Sequence, residues 1–212
     1  MTAPGWPATL VDGPVVVRPP KLRDAVSWVD LRVRNEKWLM AWEATPPGPE
    51  PPGPWARRQT AGVFSQMTRR LRRQARQGGA LPFMVLYRGR VVGQITVSTI
   101  VRGAANTGQV GYWIDQEVAG RGIMPTALAL VIGHCFGPVG LHRIEANVRP
   151  ENGASRRVVE KLGFRTEGMH LRYLAIDGAY RDHLIYAITV EDVPEGVVTR
   201  WHKTRTLPEV DR

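Results

Sequence analysis

The sequence has little cysteine and lacks any apolar run long enough to span a membrane. Its single cysteine, Cys135, can form neither a disulfide within the chain nor a thiolate metal cluster, which fits a reducing compartment. The longest apolar runs fall short of the roughly 18 residues of a spanning helix. Residues 1–14 also lack the basic start and apolar stretch of a signal peptide. We therefore expect a cytoplasmic protein without membrane contact.

Lysine is scarce although the chain is strongly basic. The 29 basic residues outnumber 19 acidic ones and give a formal charge of +10, yet only Lys21, Lys37, Lys161 and Lys203 are lysine. Such a charge favours an anionic partner, such as nucleic acid or a phosphate-bearing cofactor, although the arginine bias also fits a coding bias. Hydrophobic and charged contents of 43% and 23% exclude disordered and fibrous classes.

Apolar periodicity and turn residues predict a mixed α/β fold. Strands are predicted at 15–18, 83–87, 91–101, 109–114 and 143–148, with a final hairpin around Asp177 and Gly178, and helices within 24–42, 55–77, 122–136 and 154–162. Strands 109–114 and 143–148 are expected to be parallel, with helix 122–136 as the right-handed crossover between them. Residues 46–54 are so rich in proline that they predict an exposed extended loop.

The densest positive cluster lies in the predicted helix 55–77. It consists of Arg69, Arg70, Arg72, Arg73 and Arg76. These arginines predict either a surface for ribosomal RNA or an acidic partner, or simply the solvated face of an amphipathic helix.

No metal is expected. The five histidines lack the H-x-x-x-H and H-E-x-x-H spacings that place two ligands on one helix face. They are His134, His142, His170, His183 and His202.

A glycine-rich turn at the start of helix 122–136 is the strongest local signal. Gly120 and Gly122 flank Arg121, and such a turn exposes unpaired backbone N–H groups to an anion at the positive end of the helix dipole. The turn lacks the Gly-Lys-Ser/Thr of the Walker pattern and the G-x-G-x-x-G of dinucleotide sites, which disfavours ATP and NAD. A helix-entry turn without a ligand is the alternative.

Residues 119–124 (AGRGIM) resemble the pyrophosphate loop Q/R-x-x-G-x-G/A of GNAT acetyltransferases, with Gly122 at the central glycine and Ala119 and Met124 departing from its ends. Ten segments in order narrow the resemblance to the RimJ/RimL subfamily, and to the RimJ type in particular. They are NEKWLMAWE at 35–43, VRG at 101–103, GYW at 111–113, GIM at 122–124, HRI at 142–144, PENGAS at 150–155, LGF at 162–164, EG at 167–168, IDG at 176–178 and YRDH at 180–183.

This resemblance covers about residues 15–192 and implies the GNAT fold. That fold is a mixed central sheet in which an antiparallel meander precedes a splayed parallel strand pair, with helices on both sides. The implied acetyltransferase domain is 15–192, with the loop 46–54 inside it, an N-terminal arm at 1–14 and a C-terminal tail at 193–212. A monomer or a homodimer fits the resemblance equally.

The implied cofactor is acetyl-CoA, which leaves as CoA, in the opening between the splayed strands. Backbone groups of Trp113 and Ile114 would then hold the pantetheine and the thioester. The pyrophosphate loop would comprise Gly120, Arg121, Gly122, Ile123, Met124, Pro125 and Thr126. Asn147, Asn152 and Ser155 would complete the cofactor site, although Asn152 and Ser155 also suit the capping of helix 154–162.

The implied reaction is direct attack of a neutral amine on the thioester, with Ser155 as the candidate acid for the leaving thiolate. Glu145 is a candidate base if its face of strand 143–148 lines the opening, and Glu43 is the other, as a base or as a binder of the substrate ammonium. Either glutamate could instead be a surface carboxylate paired with arginine. Deprotonating an α-amine at pH 7 costs about 1 to 1.4 kcal/mol, against roughly 4.6 for lysine, so an α-amine needs only a weak base.

Together these features predict an N-acetyltransferase that modifies the N-terminal α-amine of a protein, a ribosomal protein in the first place. The same chemistry on a small amine, such as an amino sugar, a polyamine or an aminoacyl compound, is the alternative within enzymes. A weakly catalytic module that binds CoA or the ribosome is the alternative outside them.

Overall fold

The computed structural model describes residues 3–45 and 53–206, and an eight-stranded sheet forms its centre. The strands are β1 Leu10–Asp12, β2 Val15–Arg18, β3 Leu81–Tyr87, β4 Arg90–Val101, β5 Thr107–Ile114, β6 Arg143–Val148, β7 Arg165–Ile176 and β8 Ala179–Thr189. They are ordered β1-β2-β3-β4-β5-β6-β8-β7, and β5 and β6 are the parallel pair in an otherwise antiparallel sheet. The predicted mixed sheet with its meander is confirmed.

The described residues form six α-helices around the sheet. They are α1 Ala25–Arg34, the short α2 Glu36–Leu39, α3 Ala61–Arg76, α4 Ile123–Phe136, α5 Gly153–Lys161 and α6 Val197–Thr206. The start of α3 is set by Thr60, whose hydroxyl accepts a hydrogen bond from the Val63 N–H at 3.2 Å. Among the described residues no helix is both long and apolar enough to cross a bilayer.

The helices occupy opposite faces of the sheet, as the alternation along β3 shows. Phe83 and Val85 belong to the core that contains α4, α5 and α6, whereas Met84 and Leu86 pack with residues of α1 and α3. Because successive side chains of a strand point to opposite faces, one layer consists of α4, α5 and α6, and the other is built around α1 and the start of α3.

The parallel strands separate soon after they meet. Residues 107–109 of β5 pair with 143–145 of β6, and the pairing ends there. Beyond this point β5 stays with β4 as far as Ile114, while β6 stays with β8 as far as Val148. The sheet therefore opens between the carboxyl ends of β5 and β6, as the family resemblance implied.

Both chain ends, where described, join the same core as the rest of the chain. Trp6 is buried and β1 pairs with β2, although both lie in the predicted arm 1–14. Val197 and Trp201 of α6 are buried as well, although they lie in the predicted tail. Strand β1 and helix α6 are short and contain many polar residues, so their apolar residues show little periodicity. For this reason the sequence alone did not predict either element. Residues 46–52 of the predicted proline-rich loop lie outside the described residues.

Candidate active site

A cleft of about 1130 Å³ occupies the opening between β5 and β6. Tyr112 and Ile114 of β5, which pack with the α4 core, line it together with the starts of α4 and α5. On the opposite sheet face, Trp28, Met67 and Trp113 line it. The cleft thus passes through the sheet and can receive two substrates from opposite faces.

The turn before α4 has the geometry of an anion site. Gly120 and Gly122 have φ of 78° and 76°, a left-handed conformation that side chains with a Cβ adopt at a cost. Within the described residues, the N–H groups of 120–122 donate to no other group. They precede the free N–H groups of the first turn of α4, where the helix dipole adds a positive field. An anionic group placed here would satisfy donors that the fold leaves unpaired.

Helix α6 fixes this turn from behind. The Trp201 indole Nε1 donates to the Thr126 hydroxyl at 2.8 Å, and that hydroxyl donates to the Gly122 carbonyl at 2.9 Å. Trp201 and Thr126 are both buried. The hydroxyl of Thr126 is therefore engaged inside the protein, and its contribution to the site is to hold the Gly122 carbonyl in place.

The predicted cofactor residues divide by where the structure places them. Trp113, Ile114, Gly120, Gly122, Ile123, Met124, Pro125, Asn152 and Ser155 line the cleft. Arg121, Thr126 and Asn147 are not among its lining residues. The Asn147 Oδ1 is buried without a hydrogen-bond partner among the described residues.

The backbone of β5 turns alternate groups toward the cleft. A Cβ added at Gly93 of β4 would lie 2.4 Å from the Trp113 carbonyl oxygen, so this carbonyl points at β4. Alternation then directs the backbone of Tyr112 and Ile114 toward the opening. The Ile114 carbonyl accepts a hydrogen bond from Trp38 Nε1 at 3.0 Å, so Trp38 holds the last residue of the strand. The backbone of Ile114, and not that of Trp113, therefore faces the opening in which a cofactor would lie.

Ser155 and Tyr112 form a hydroxyl pair in the cleft. The Ser155 Oγ lies 2.8 Å from the Tyr112 Oη, which is also 3.1 Å from the Ser155 carbonyl oxygen. Asn152 caps α5 by accepting the Ser155 N–H at 3.0 Å, which leaves the Ser155 hydroxyl free of any capping role. Burial raises the pKa of Tyr112 above its usual value, so its phenol stays protonated and can donate.

The half of the cleft on the α1 face of the sheet is built around a buried arginine. The Arg32 guanidinium lies 4.5 Å from the ring centroid of Trp55 and also faces the rings of Trp28 and Trp113. It forms an ion pair with Glu43, whose Oε2 also accepts the Trp55 indole N–H at 2.9 Å. Glu43 lines the cleft and keeps about a third of its side chain exposed. Its carboxylate is thus fixed and still reachable.

Glu145, the other predicted base, is not brought to the cleft. It faces Gln109 in the last paired position of β5 and β6, before the strands separate. Its carboxylate accepts from Arg143 Nε at 2.8 Å, and Arg143 in turn pairs with Glu167. This is the surface ion-pair alternative that the sequence left open.

Sequence reasoning missed several residues of the site. Tyr112 stands inside the GYW segment, and strand alternation alone could have placed it beside Ile114. The tryptophans that line the other side of the cleft could have been suspected only from their concentration before residue 56. Those that line the cleft there are Trp28, Trp38, Trp42 and Trp55.

The arginine cluster of α3 points to solvent. Each of its five arginines is exposed, and none forms an ion pair or a hydrogen bond among the described residues. Arg70 differs from the other four because it also lines the cleft.

Comparison with known families and structures gives a consistent result. Residues 15–165 match the family model described as acetyltransferase (GNAT) domain. The chain is 33% identical over 187 residues to the [ribosomal protein uS5]-alanine N-acetyltransferase of Escherichia coli, covering 86% of this chain and 91% of that protein. It is 42% identical over 103 residues to a probable N-acetyltransferase, YjcK, of Bacillus subtilis, covering 49% of this chain and 57% of that one.

One solved structure resembles the chain over nearly its whole length. It is Mycobacterium smegmatis RimJ in complex with CoA-disulfide, with a TM-score of 0.90 and 39% sequence identity. The superposition covers 96% of this chain and 97% of that one, whereas the family model matches residues 15–165.

Proposed function

The chain belongs to the GNAT acetyltransferase family, RimJ/RimL subfamily, and from that premise we propose that it acetylates the N-terminal α-amine of a ribosomal protein. The protein is an acyltransferase with acetyl-CoA as its acyl donor. The observation that carries the proposal is the two-sided cleft. On one face of the sheet lie the start of α4, which suits an anion, and the hydroxyl pair of Tyr112 and Ser155. On the other face lies the acceptor wall, which is lined by tryptophans and contains Glu43.

The nature of the relatives supports a protein acceptor. The Escherichia coli relative, matched over 91% of its length, acts by its name on an alanine of ribosomal protein uS5. The solved structure described above is that of a RimJ protein. Because related folds change substrates through their loops, the acceptor of this chain is our proposal and is to be tested directly.

The residues of the cofactor face suit a CoA thioester. The unpaired N–H groups at 120–122 and the start of α4 would hold the pyrophosphate. Arg157 and Lys161 of α5 line the same cleft and add positive charge for a further phosphate. Acetyl-CoA supplies the activated acyl group, and the protein orients it and moves the protons.

We propose that the Ser155 hydroxyl donates the proton that the leaving thiolate takes up. Tyr112 keeps this hydroxyl in the cleft through the 2.8 Å contact. The Ser155 hydroxyl gives its proton to the thiolate and recovers one from the amine nitrogen, which loses a proton as the amide forms. Tyr112 is therefore a positioning residue in this proposal and Ser155 the acid.

On the acceptor face, Glu43 is the carboxylate we assign to the substrate ammonium. Its ion pair with Arg32 fixes the carboxylate. A water between Glu43 and the amine would suffice for the small cost of deprotonating an α-amine. Glu145 has no part in this assignment, because it lies below the opening in an ion pair with Arg143.

A panel of acceptors tests the proposal against acetylation of small amines. With acetyl-CoA saturating, release of free CoA is followed for short peptides with free N-termini, for amino sugars and for polyamines. We expect kcat/KM for at least one peptide to exceed that for every small amine by about tenfold or more, since only a peptide can extend along the acceptor wall. A small amine that outperforms all peptides would establish the alternative. CoA binding without any acetyl transfer would point to a binding module.

Contact with ribosomal RNA through the α3 arginines is a separate part of the proposal. The exposed and unpaired state of these arginines supports it, although a solvated helix face has the same appearance in a single chain. Acetyl transfer to a short peptide does not depend on it.

A further inference from the structure

A buried donor without an acceptor marks a second feature of the acceptor wall. The Nε of Arg58 is inaccessible to solvent and has no hydrogen-bond partner among the described residues, although Arg58 lines the cleft. Leaving a buried donor unpaired is costly, more so for a charged group, and native structures rarely tolerate it without a reason. The described residues therefore leave part of the hydrogen-bonding capacity of the Arg58 guanidinium unused at the wall of a substrate cleft.

A second cation lines the same cleft. Arg70 of α3 lines it and forms no ion pair or hydrogen bond within the described part of the chain. Arg32, the third arginine of this wall, is different because Glu43 balances its charge. Within the described residues, Arg58 and Arg70 thus leave two positive charges of the cleft lining without a counter-charge.

These charges lie on the face away from the cofactor residues. Arg58 belongs to the helical turn Trp55–Arg58, whose Trp55 ring lies 4.5 Å from the Arg32 guanidinium of α1. Arg70 belongs to α3, whose Phe64 and Met67 pack in the α1 layer. The phosphate-binding start of α4 and the cations of α5 belong to the opposite layer. An anion bound by Arg58 and Arg70 would therefore come from the acceptor and not from CoA.

We propose that Arg58 and Arg70 form a subsite for a carboxylate of the acceptor polypeptide, an Asp or Glu side chain within the first few residues after the acetylated one. This rests on the proposed function. A guanidinium binds a carboxylate through paired charge-assisted hydrogen bonds, which are stronger than neutral ones and fix geometry. The subsite makes the enzyme selective among N-termini by the acidic residue that follows the amine.

The test is a set of peptides that share their first residue and carry Glu at one of the next five positions, each compared with the same peptide carrying Gln. With wild-type protein, we expect Glu at one position to lower KM about tenfold relative to Gln, the effect of one charge-assisted hydrogen bond. In Arg58→Gln and in Arg70→Gln, this ratio should fall toward one. Arg69→Gln, on the same helix but away from the cleft, is the matched control and should keep the wild-type ratio.

A charge reversal keeps the test independent of any folding defect at Arg58, which is half-buried. Arg70 is exposed, so Arg70→Glu should fold, and we expect it to prefer the peptide with Lys at the sensitive position over the one with Glu. Equal KM for every Glu and Gln pair in an active wild-type enzyme would overturn the subsite and leave the proposed function standing. Failure to acetylate any peptide would overturn the proposed function itself.

Discussion

Replacing Ser155 by alanine is expected to lower kcat for acetyl transfer by about 10² to 10⁴, because the leaving thiolate loses its proton donor. The affinity for CoA should change little, since we assign the phosphates to the unpaired N–H groups of 120–122 and the start of α4. The fold should also be preserved, because Asn152 and not the Ser155 hydroxyl caps α5. Steady-state rates with one peptide and thermal unfolding of the same samples measure both effects.

Two further variants separate a chemical role of Ser155 from a packing role. Ser155→Thr retains the hydroxyl and should recover much of the lost kcat. Tyr112→Phe removes the partner of that hydroxyl and should cause a smaller loss than Ser155→Ala, as a positioning role predicts. A Ser155→Ala enzyme with kcat within about threefold of wild type would remove Ser155 from the mechanism.

Replacing Gly120 by alanine is expected to raise the KM for acetyl-CoA by about tenfold or more. Gly120 has a φ of 78° and open space around an added Cβ, so alanine there strains the left-handed turn and displaces N–H groups that face the phosphates. Losing one charge-assisted hydrogen bond to a phosphate accounts for a change of this size. Titration of acetyl-CoA at a fixed peptide concentration measures it.

Gly178→Ala is the matched control for backbone strain. Gly178 has a φ of 70° and equally open surroundings, but it lies in the turn between β7 and β8, away from the cleft. Both variants should lose about 1 to 2 kcal/mol of unfolding free energy, and only Gly120→Ala should change the KM for acetyl-CoA. A similar KM in both variants would show that the turn does not bind the cofactor.

The sheet and the crossover could be predicted because their signals are local. Strand β6 matches the predicted range 143–148, and α4 begins one residue after the predicted start, since an apolar run after a glycine turn is unambiguous. Strand β1 and helix α6 were not predicted. The three residues of β1 are too few for a period, and α6 is polar on most of its surface while burying Val197 and Trp201.

The site was predicted less completely because its chemistry depends on register and on distant contacts. Strand alternation correctly placed Glu145 on one face with Arg143, but the point at which β5 and β6 separate is set by pairing that the sequence does not encode locally. The ion pair of Arg32 with Glu43 and the contact of Tyr112 with Ser155 join segments 11 and 43 residues apart. Only the folded chain shows that, of the two predicted carboxylates, Glu43 reaches the cleft and Glu145 does not.

The activity proposed for this chain is acetylation of the α-amine of a polypeptide. The most direct measurement uses one peptide with a free small N-terminal residue and an internal lysine, incubated with the enzyme and isotopically labelled acetyl-CoA, with tandem mass spectrometry locating the label. We predict label on the α-amine in excess of the lysine by about two orders of magnitude, because the lysine amine costs about 3 kcal/mol more to deprotonate. Label on the lysine in preference to the α-amine would contradict the claim.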